Sequence, residues 1–227
     1  MMTRTFFRRL ELEPPPWLYV LMAKGPLYRR IYRRLVADLA PRVPQNARLL
    51  DLGTGPGYLL AYLARQRPDL RLFGLDRSHR MVAGGRRRLA RLTPESRVHR
   101  MVADAQALPL PEASFDHLLV TFSFHIWQEP VRAAAEMLRV LKPGGRAWIY
   151  EMNQDADRGQ IQEFAREERL PFFFVYLGFR SLAWNHALRA EDFATVFQQA
   201  GLSAWTLTPA HHIFWRVELR RNKLSST

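Results

Sequence analysis

The chain of 227 residues is 48% hydrophobic and 24% charged, a globular composition with room for one substantial core and a small accessory subdomain; disorder, coiled coil and collagen are excluded. Its 34 basic residues outnumber 21 acidic ones, for a formal charge of +13, and all of the basic residues except Lys24, Lys142 and Lys223 are arginine. The absence of cysteine excludes disulfides, thiolate zinc sites and any cysteine nucleophile, including the covalent route to 5-methylcytosine.

At the amino terminus Arg4, Arg8 and Arg9 are followed by Glu11, Glu13 and three prolines rather than a long apolar run, so a secretory signal is not expected and the chain reads as cytoplasmic. From Pro26, PLYRRIYRRLVADLAP sets Leu27, Tyr28, Ile31, Tyr32, Leu35, Val36 and Leu39 at helical spacing opposite Arg29, Arg30, Arg33 and Arg34, a helix started by Pro26 and stopped by Pro41. Residues 1–44 are expected to form an N-terminal helical cap. Apolar runs of strand character then alternate with amphipathic segments: ARLLDLG, RLFGLD, RVHRMVAD, FDHLLVTFSF and RAWIYEMN, with helices at about 57–66, 78–91 and 130–140. Nearly continuous apolar strands in this alternation predict an α/β fold with a doubly wound, mostly parallel sheet covered on both faces.

After Asn153 the alternation is interrupted, and residues 154–189 read as a lid insertion before a helix at about 190–200. Within it PFFFVYLGF, between Arg169 and Arg180, is too apolar to be left wholly in water; it lines an apolar pocket, touches a membrane or partner, or packs in the core. SAWTLTPA and HHIFWRVELR predict a closing antiparallel hairpin joined around Pro209 and Ala210. There His211 and His212 begin the last strand, project to opposite faces and cannot share a metal. The uncharged stretch Phe193 to Trp215 contains Gln198, Gln199, Gly201 and Pro209, so it is no spanning helix.

The segment LLDLGTGPGYLLAYLA passes from a buried strand through Gly53, Gly55 and Gly57 straight into a helix. Glycines there admit unusual backbone angles and let a ligand approach the main chain, and the amides at the helix start favour a carboxylate or phosphate. Asp76 ends the second strand, where a carboxylate can accept both hydroxyls of a ribose, and Asp104 with Ala105 ends the third. The glycines read G-x-G-x-G, with Tyr58 where a dinucleotide fingerprint requires glycine, so pyrophosphate binding is disfavoured. Three neighbouring strand ends of this kind describe a nucleoside site.

These residues resemble the class I S-adenosylmethionine-dependent methyltransferases, most closely the small-molecule branch of ubiquinone and menaquinone biosynthesis. The resemblance rests on DLGTGPG at 51–57, GLDRSHRM at 74–81, ADAQALPLPEASFDHLLVTFSFHIW at 103–127 and EMLRVLKPGG at 136–145, and covers about residues 45–153 of a methyltransferase domain spanning 45–227. It implies a Rossmann-like sheet of seven strands, one of them antiparallel. It further implies that Gly53, Thr54, Gly55 and Gly57 cradle the methionine part of S-adenosylmethionine, that Asp51 supports the loop, and that Asp76 holds the ribose. Arg77 and Met81 would pack near the adenine, Asp104 and Ala105 would read its edge, and Thr121 would lie beside the amino acid part.

Methyl transfer needs alignment, dehydration and a deprotonated acceptor, with no metal. His125 in TFSFHIW is the candidate general base, with a substrate-shaping role as its competing reading. Tyr28, Phe174 and His186 are further candidate acceptor contacts. The expected partner is a small hydrophobic methyl acceptor met near a membrane surface. The competing readings are an RNA or other nucleic-acid methyltransferase, suggested by the charge, and a non-catalytic protein that binds S-adenosylmethionine. Against the former, no Asp or Asn followed by two prolines and an aromatic succeeds the fourth strand.

Overall fold

A computed structural model describes residues 20, 21, 23–92, 98–180 and 187–222. Seven strands form one sheet: β1 (Arg48–Leu52), β2 (Arg71–Asp76), β3 (Val98–Val102), β4 (Phe115–Thr121), β5 (Leu141–Met152), β6 (Trp205–Ala210) and β7 (Phe214–Arg220), in the order β3-β2-β1-β4-β5-β7-β6. β3, β2, β1, β4 and β5 run parallel, and β7 is antiparallel to both β5 and β6. The chain winds outward from β1 to one edge and from β4 towards the other, so the order reverses between β1 and β4 and opens a crevice at their carboxyl ends.

The helices are α1 (Pro26–Leu39), α2 (Tyr58–Gln66), α3 (His79–Leu92), α4 (Pro130–Val140), α5 (Arg158–Glu167), α6 (Phe172–Gly178) and α7 (Ala190–Gln199). Leu49, Leu72, Leu119, Trp148 and Tyr150 face α1, α2 and α5 across one buried cluster. Leu50, Leu52, Leu118, Val120, Ile149 and Val217 face α4 and α7 across the other. Because side chains alternate along a strand, a run such as LLDL or HLLV serves both cores at once, which is why these strands read as continuously apolar.

α1 buries Ile31, Tyr32, Leu35, Val36 and Leu39 and is tied to the sheet by Asp38. That carboxylate accepts from Tyr150 Oη at 2.7 Å, from Arg216 Nη1 at 2.8 and 2.9 Å, and from Arg42 at 3.0 Å. These donors hold Asp38 below the usual carboxylate range despite the opposing cost of its burial. Arg67, at the end of α2, donates to the carbonyls of Ala40, Val43 and Pro44 and pairs with Asp69 at 2.6 Å, fastening the exit of α1 to the turn before β2.

The described part of residues 154–189 contributes two helices of different character. A capping box of Asp157 and Gln160 starts α5, which buries Ile161, Phe164 and Ala165. In contrast, α6 buries none of its residues. The hairpin differs from the sequence expectation: Pro209 and Ala210 lie inside β6, and the turn is made by His211, His212 and Ile213. His211 and His212 both take left-handed backbone, at φ 47° and 69°, so they do not begin the last strand. Among the described residues, no helix is long and apolar enough to cross a membrane.

Candidate active site

The crevice is built by the turns that leave the carboxyl ends of β1, β2, β3 and β4. Leaving β1, the chain turns through Gly53, Gly55 and Gly57, all at positive φ. The amides of Gly53 and Thr54 donate to the carbonyl of Leu75 at 2.8 and 2.9 Å, so the loop hangs from the end of β2. A Cβ on Gly53 would press on the Ser123 side chain, which is itself fixed by a 3.0 Å bond from Oγ to the carbonyl of Leu52. Ser123 thus locks the turn after β4 against the loop after β1.

Asp76 faces the same loop. Its Oδ2 accepts from the Gly55 amide at 2.8 Å and its Oδ1 from the Ser78 amide at 2.8 Å, which sets the carboxylate at the lip of the crevice. Arg77 beside it is exposed and Met81, in the first turn of α3, is half-buried. Asp104 is exposed and accepts from the Gln106 amide at 2.9 Å, while Ala105 is buried. The proposed ribose and adenine residues therefore lie at adjacent strand ends.

Deeper in, Asp51 is 2% exposed, and burial pushes its carboxyl up to about 7. Thr121 Oγ1 is buried with no hydrogen-bond partner among the described residues, and Asp51 Oδ1 and Thr54 Oγ1 are buried with at most each other as partner there. Buried polar atoms left unsatisfied are rare and mark places where a ligand or water completes the bonding. Together with the glycine that tolerates no Cβ, this donor and acceptor set fits the amino acid end of a nucleoside-linked methionine, and the Asp76 carboxylate fits a diol.

Three residues that sequence reasoning missed organise the site. Arg100, in the middle of β3, donates to the carbonyls of Gly55 at 2.6 Å, Met81 at 3.0 Å and Val82 at 2.6 Å, joining the glycine loop to α3. Burial lowers its pKa, and Asp76 and Asp51 oppose that. Ser123 is the second. The third is Glu151 on β5, wholly buried, whose Oε1 accepts from the Phe124 amide at 2.6 Å and whose Oε2 lies 3.0 Å from Nδ1 of His125. An arginine inside RVHRMV and a glutamate after WIY, each in an otherwise apolar strand, were the available signals.

His125 stands in a single helical turn, Phe124–Ile126, directly after β4, with 12% of its side chain exposed. Tyr28 is half-buried against Tyr32, their rings 6.0 Å apart, and burial raises its hydroxyl pKa. Phe174 is 71% exposed on α6, beside Phe173 at 67% and Leu177 at 52%. His186 lies outside the described residues. Among the described residues no group of three or more His, Asp or Glu side chains is placed to hold a metal ion.

Residues 50–149 match the methyltransferase domain family. The chain is 36% identical over 118 residues to the ubiquinone/menaquinone biosynthesis C-methyltransferase UbiE of Geobacter sulfurreducens, covering 52% of this chain and 46% of that protein. It is 37% identical over 121 residues to the demethylmenaquinone methyltransferase of Thermus thermophilus, covering 53% of each. The chain thus spans about half the length of these curated relatives. In fold it matches a SAM-dependent methyltransferase of Aquifex aeolicus at a TM-score of 0.71 and 17% identity, over 92% of this chain and all of that one. It also matches the [4+2]-cyclase SpnF in fold, at a TM-score of 0.63 and 21% identity, over 84% of this chain and 81% of that one.

Proposed function

We propose that this methyltransferase domain binds S-adenosylmethionine at the β1–β4 switch point and methylates a small apolar acceptor, on carbon, as the names of its curated relatives suggest. The observation that carries the reading is the convergence, on one crevice, of a glycine loop closed against Ser123, a fully buried acid and a lip carboxylate held by two backbone amides. When bound, S-adenosylmethionine supplies a methyl group on a cationic sulfur, an electrophile that needs no metal.

The residues divide the work. Gly53, Thr54, Gly55 and Gly57 border the methionine portion, with Asp51 and Thr121 offering their buried oxygens to it. Asp76 takes the ribose hydroxyls, Arg77 and Met81 flank the adenine, and Asp104 with the Ala105 amide reads its edge. His125 takes the proton that the acceptor gives up. Residues 1–44 act as a cap and 154–189 as a lid over the acceptor.

The same reading places the protein at a lipid surface. Phe173, Phe174 and Leu177 of α6 are exposed, and the neighbouring α1 presents Arg29, Arg30 and Arg33. Arg30 and Arg34 of α1 reach Glu168 at the end of α5, so the cationic and aromatic helices are near one another. Exposed aromatics beside arginines suit an anionic bilayer that stores an apolar acceptor.

Calorimetric titration of S-adenosylhomocysteine tests the pocket. Asp76 also moors Gly55 and Ser78, so Asp76→Asn, which preserves shape, accompanies Asp76→Ala. Losing charge-assisted bonds worth about 1.5–3 kcal/mol should weaken binding roughly 10- to 150-fold in Asp76→Asn. Labelled methyl transfer into a short-chain reduced demethylmenaquinone then tests the acceptor. Absence of binding by the wild type, shown free of bound ligand by mass spectrometry, defeats the reading.

A further inference from the structure

The wholly buried Glu151 has no part in the roles carried over from the family motifs, yet it occupies the position from which His125 is controlled. An ionised carboxylate is tolerated at zero exposure only when its oxygens are hydrogen-bonded, and here one faces the Phe124 amide and the other His125 Nδ1. The amide has only a proton to offer. A carboxylate likewise can only accept, so the histidine must present Nδ1–H.

We infer that Glu151 is a positioning residue that fixes His125 in the Nδ1–H tautomer, so that the ring exchanges protons with the acceptor through Nε2. This rests on the methyltransferase reading for its purpose, and on the geometry alone for the pair itself. The proton balance is simple. The acceptor's X–H or C–H bond breaks, its electron pair stays on the acceptor atom that is to be methylated, and the proton bonds to the Nε2 lone pair. The imidazolium then carries one positive charge opposite the Glu151 carboxylate until its proton passes to water.

The fold supplies the precision. Glu151 belongs to β5, pinned on one side through Tyr150, whose carbonyl accepts from the Phe122 amide at 2.9 Å, and on the other by pairing of Glu151 with Trp215 of β7. His125 is one residue beyond Phe124, the amide that Glu151 holds. Carboxylate and imidazole therefore share a frame only a few bonds long, and neither needs a flexible loop to meet the other.

Glu151→Gln gives the decisive experiment. The side-chain carbonyl must accept from the Phe124 amide, or that buried N–H is left facing an NH₂. The amide nitrogen then faces Nδ1 as a donor, and the histidine can satisfy it only by moving its proton to Nε2. Long-range ¹H–¹⁵N spectra at alkaline pH report the tautomer directly, with His125 assigned from a His125→Asn spectrum among the seven histidines. The expected result is Nδ1–H in the wild type and Nε2–H in Glu151→Gln, with S-adenosylhomocysteine affinity unchanged. With an acceptor in hand, kcat should fall roughly 10²- to 10⁴-fold at unaltered KM for the methyl donor.

An Nε2–H tautomer in the wild type, or a tautomer unmoved in a folded Glu151→Gln, overturns the inference. If Glu151→Gln does not fold, the wild-type tautomer alone decides. Loss of S-adenosylhomocysteine binding in the wild type would instead strike the proposed function while leaving the pair standing.

Discussion

Gly53→Ala should damage stability and binding together, and its size comes from two separate costs. The residue sits at φ +73°, where an L side chain costs about 1–2 kcal/mol. The new Cβ would also lie 2.5 Å from Ser123 Cβ, an atom that no side-chain rotation can move. Relief requires shifting the turn after β4, at the expense of the Ser123 Oγ bond to the Leu52 carbonyl, worth about 0.5–1.5 kcal/mol. A total loss of about 1.5–3.5 kcal/mol is expected, or roughly 3–14 °C in Tm for a chain of this size. Urea unfolding tracked by circular dichroism measures it, and calorimetry with S-adenosylhomocysteine monitors the loop. In a Ser123→Gly background, which has already given up the Oγ bond, Gly53→Ala should cost only the backbone share of about 1–2 kcal/mol. A loss below about 1 kcal/mol for Gly53→Ala, or an equal loss in the wild-type and Ser123→Gly backgrounds, would refute this account of how the two turns lock.

Asp51 predicts a pH dependence of opposite sign to that of a salt-bridged acid. Its folded carboxyl, raised to about 7 by burial, holds a proton that the unfolded chain releases near 4, so stability falls between about pH 4 and 7 by up to roughly 1.4 kcal/mol per unit. Asp51→Asn should flatten that part of the stability curve in urea titrations from pH 5 to 8; an unchanged slope would contradict it. Replacing Arg67 with Met removes donors to three carbonyls and the partner of Asp69, and should cost about 2–4 kcal/mol in thermal unfolding. On α6, Phe173→Asp with Phe174→Asp should leave Tm within a few degrees because both rings are exposed, yet abolish co-sedimentation with anionic vesicles. Equal sedimentation by the double variant and the wild type would sink the lipid-surface proposal.

How far the sequence could be read depended on whether a feature was local. The run Pro130 to Val140 is helix because its apolar spacing, opening proline and succeeding strand all act within a dozen residues. Gly53 to Gly57 could be read for the same reason, since strand, glycines and helix are contiguous. The hairpin turn was misplaced because His211 and His212 take left-handed backbone without the Asn-Gly or Asp-Gly chemistry that announces it, while Pro209 resembled a turn residue but pairs with Trp215 at the sheet edge. For Phe174, 71% exposed, hydrophobicity reports that the side chain is costly in water and says nothing about which surface relieves that cost.

The contacts that make the site were invisible for a related reason. Arg100 meets Gly55 across 45 positions and Glu151 meets His125 across 26, and both encounters exist only because the sheet order sets β3, β2 and β1 side by side and β5 next to β4. A buried charge in an apolar strand nevertheless leaves a trace in one sequence. Burying an unpaired carboxylate or guanidinium is so unfavourable that, once a strand is assigned to the core, any charge within it demands a partner from an adjoining strand or the turn after it. Strand order and register then narrow the choice: Arg216 and Arg220 of β7 pair with Tyr150 and Arg146, on the face opposite Glu151, and the turn after β4 contains one histidine and no other cation, which leaves His125.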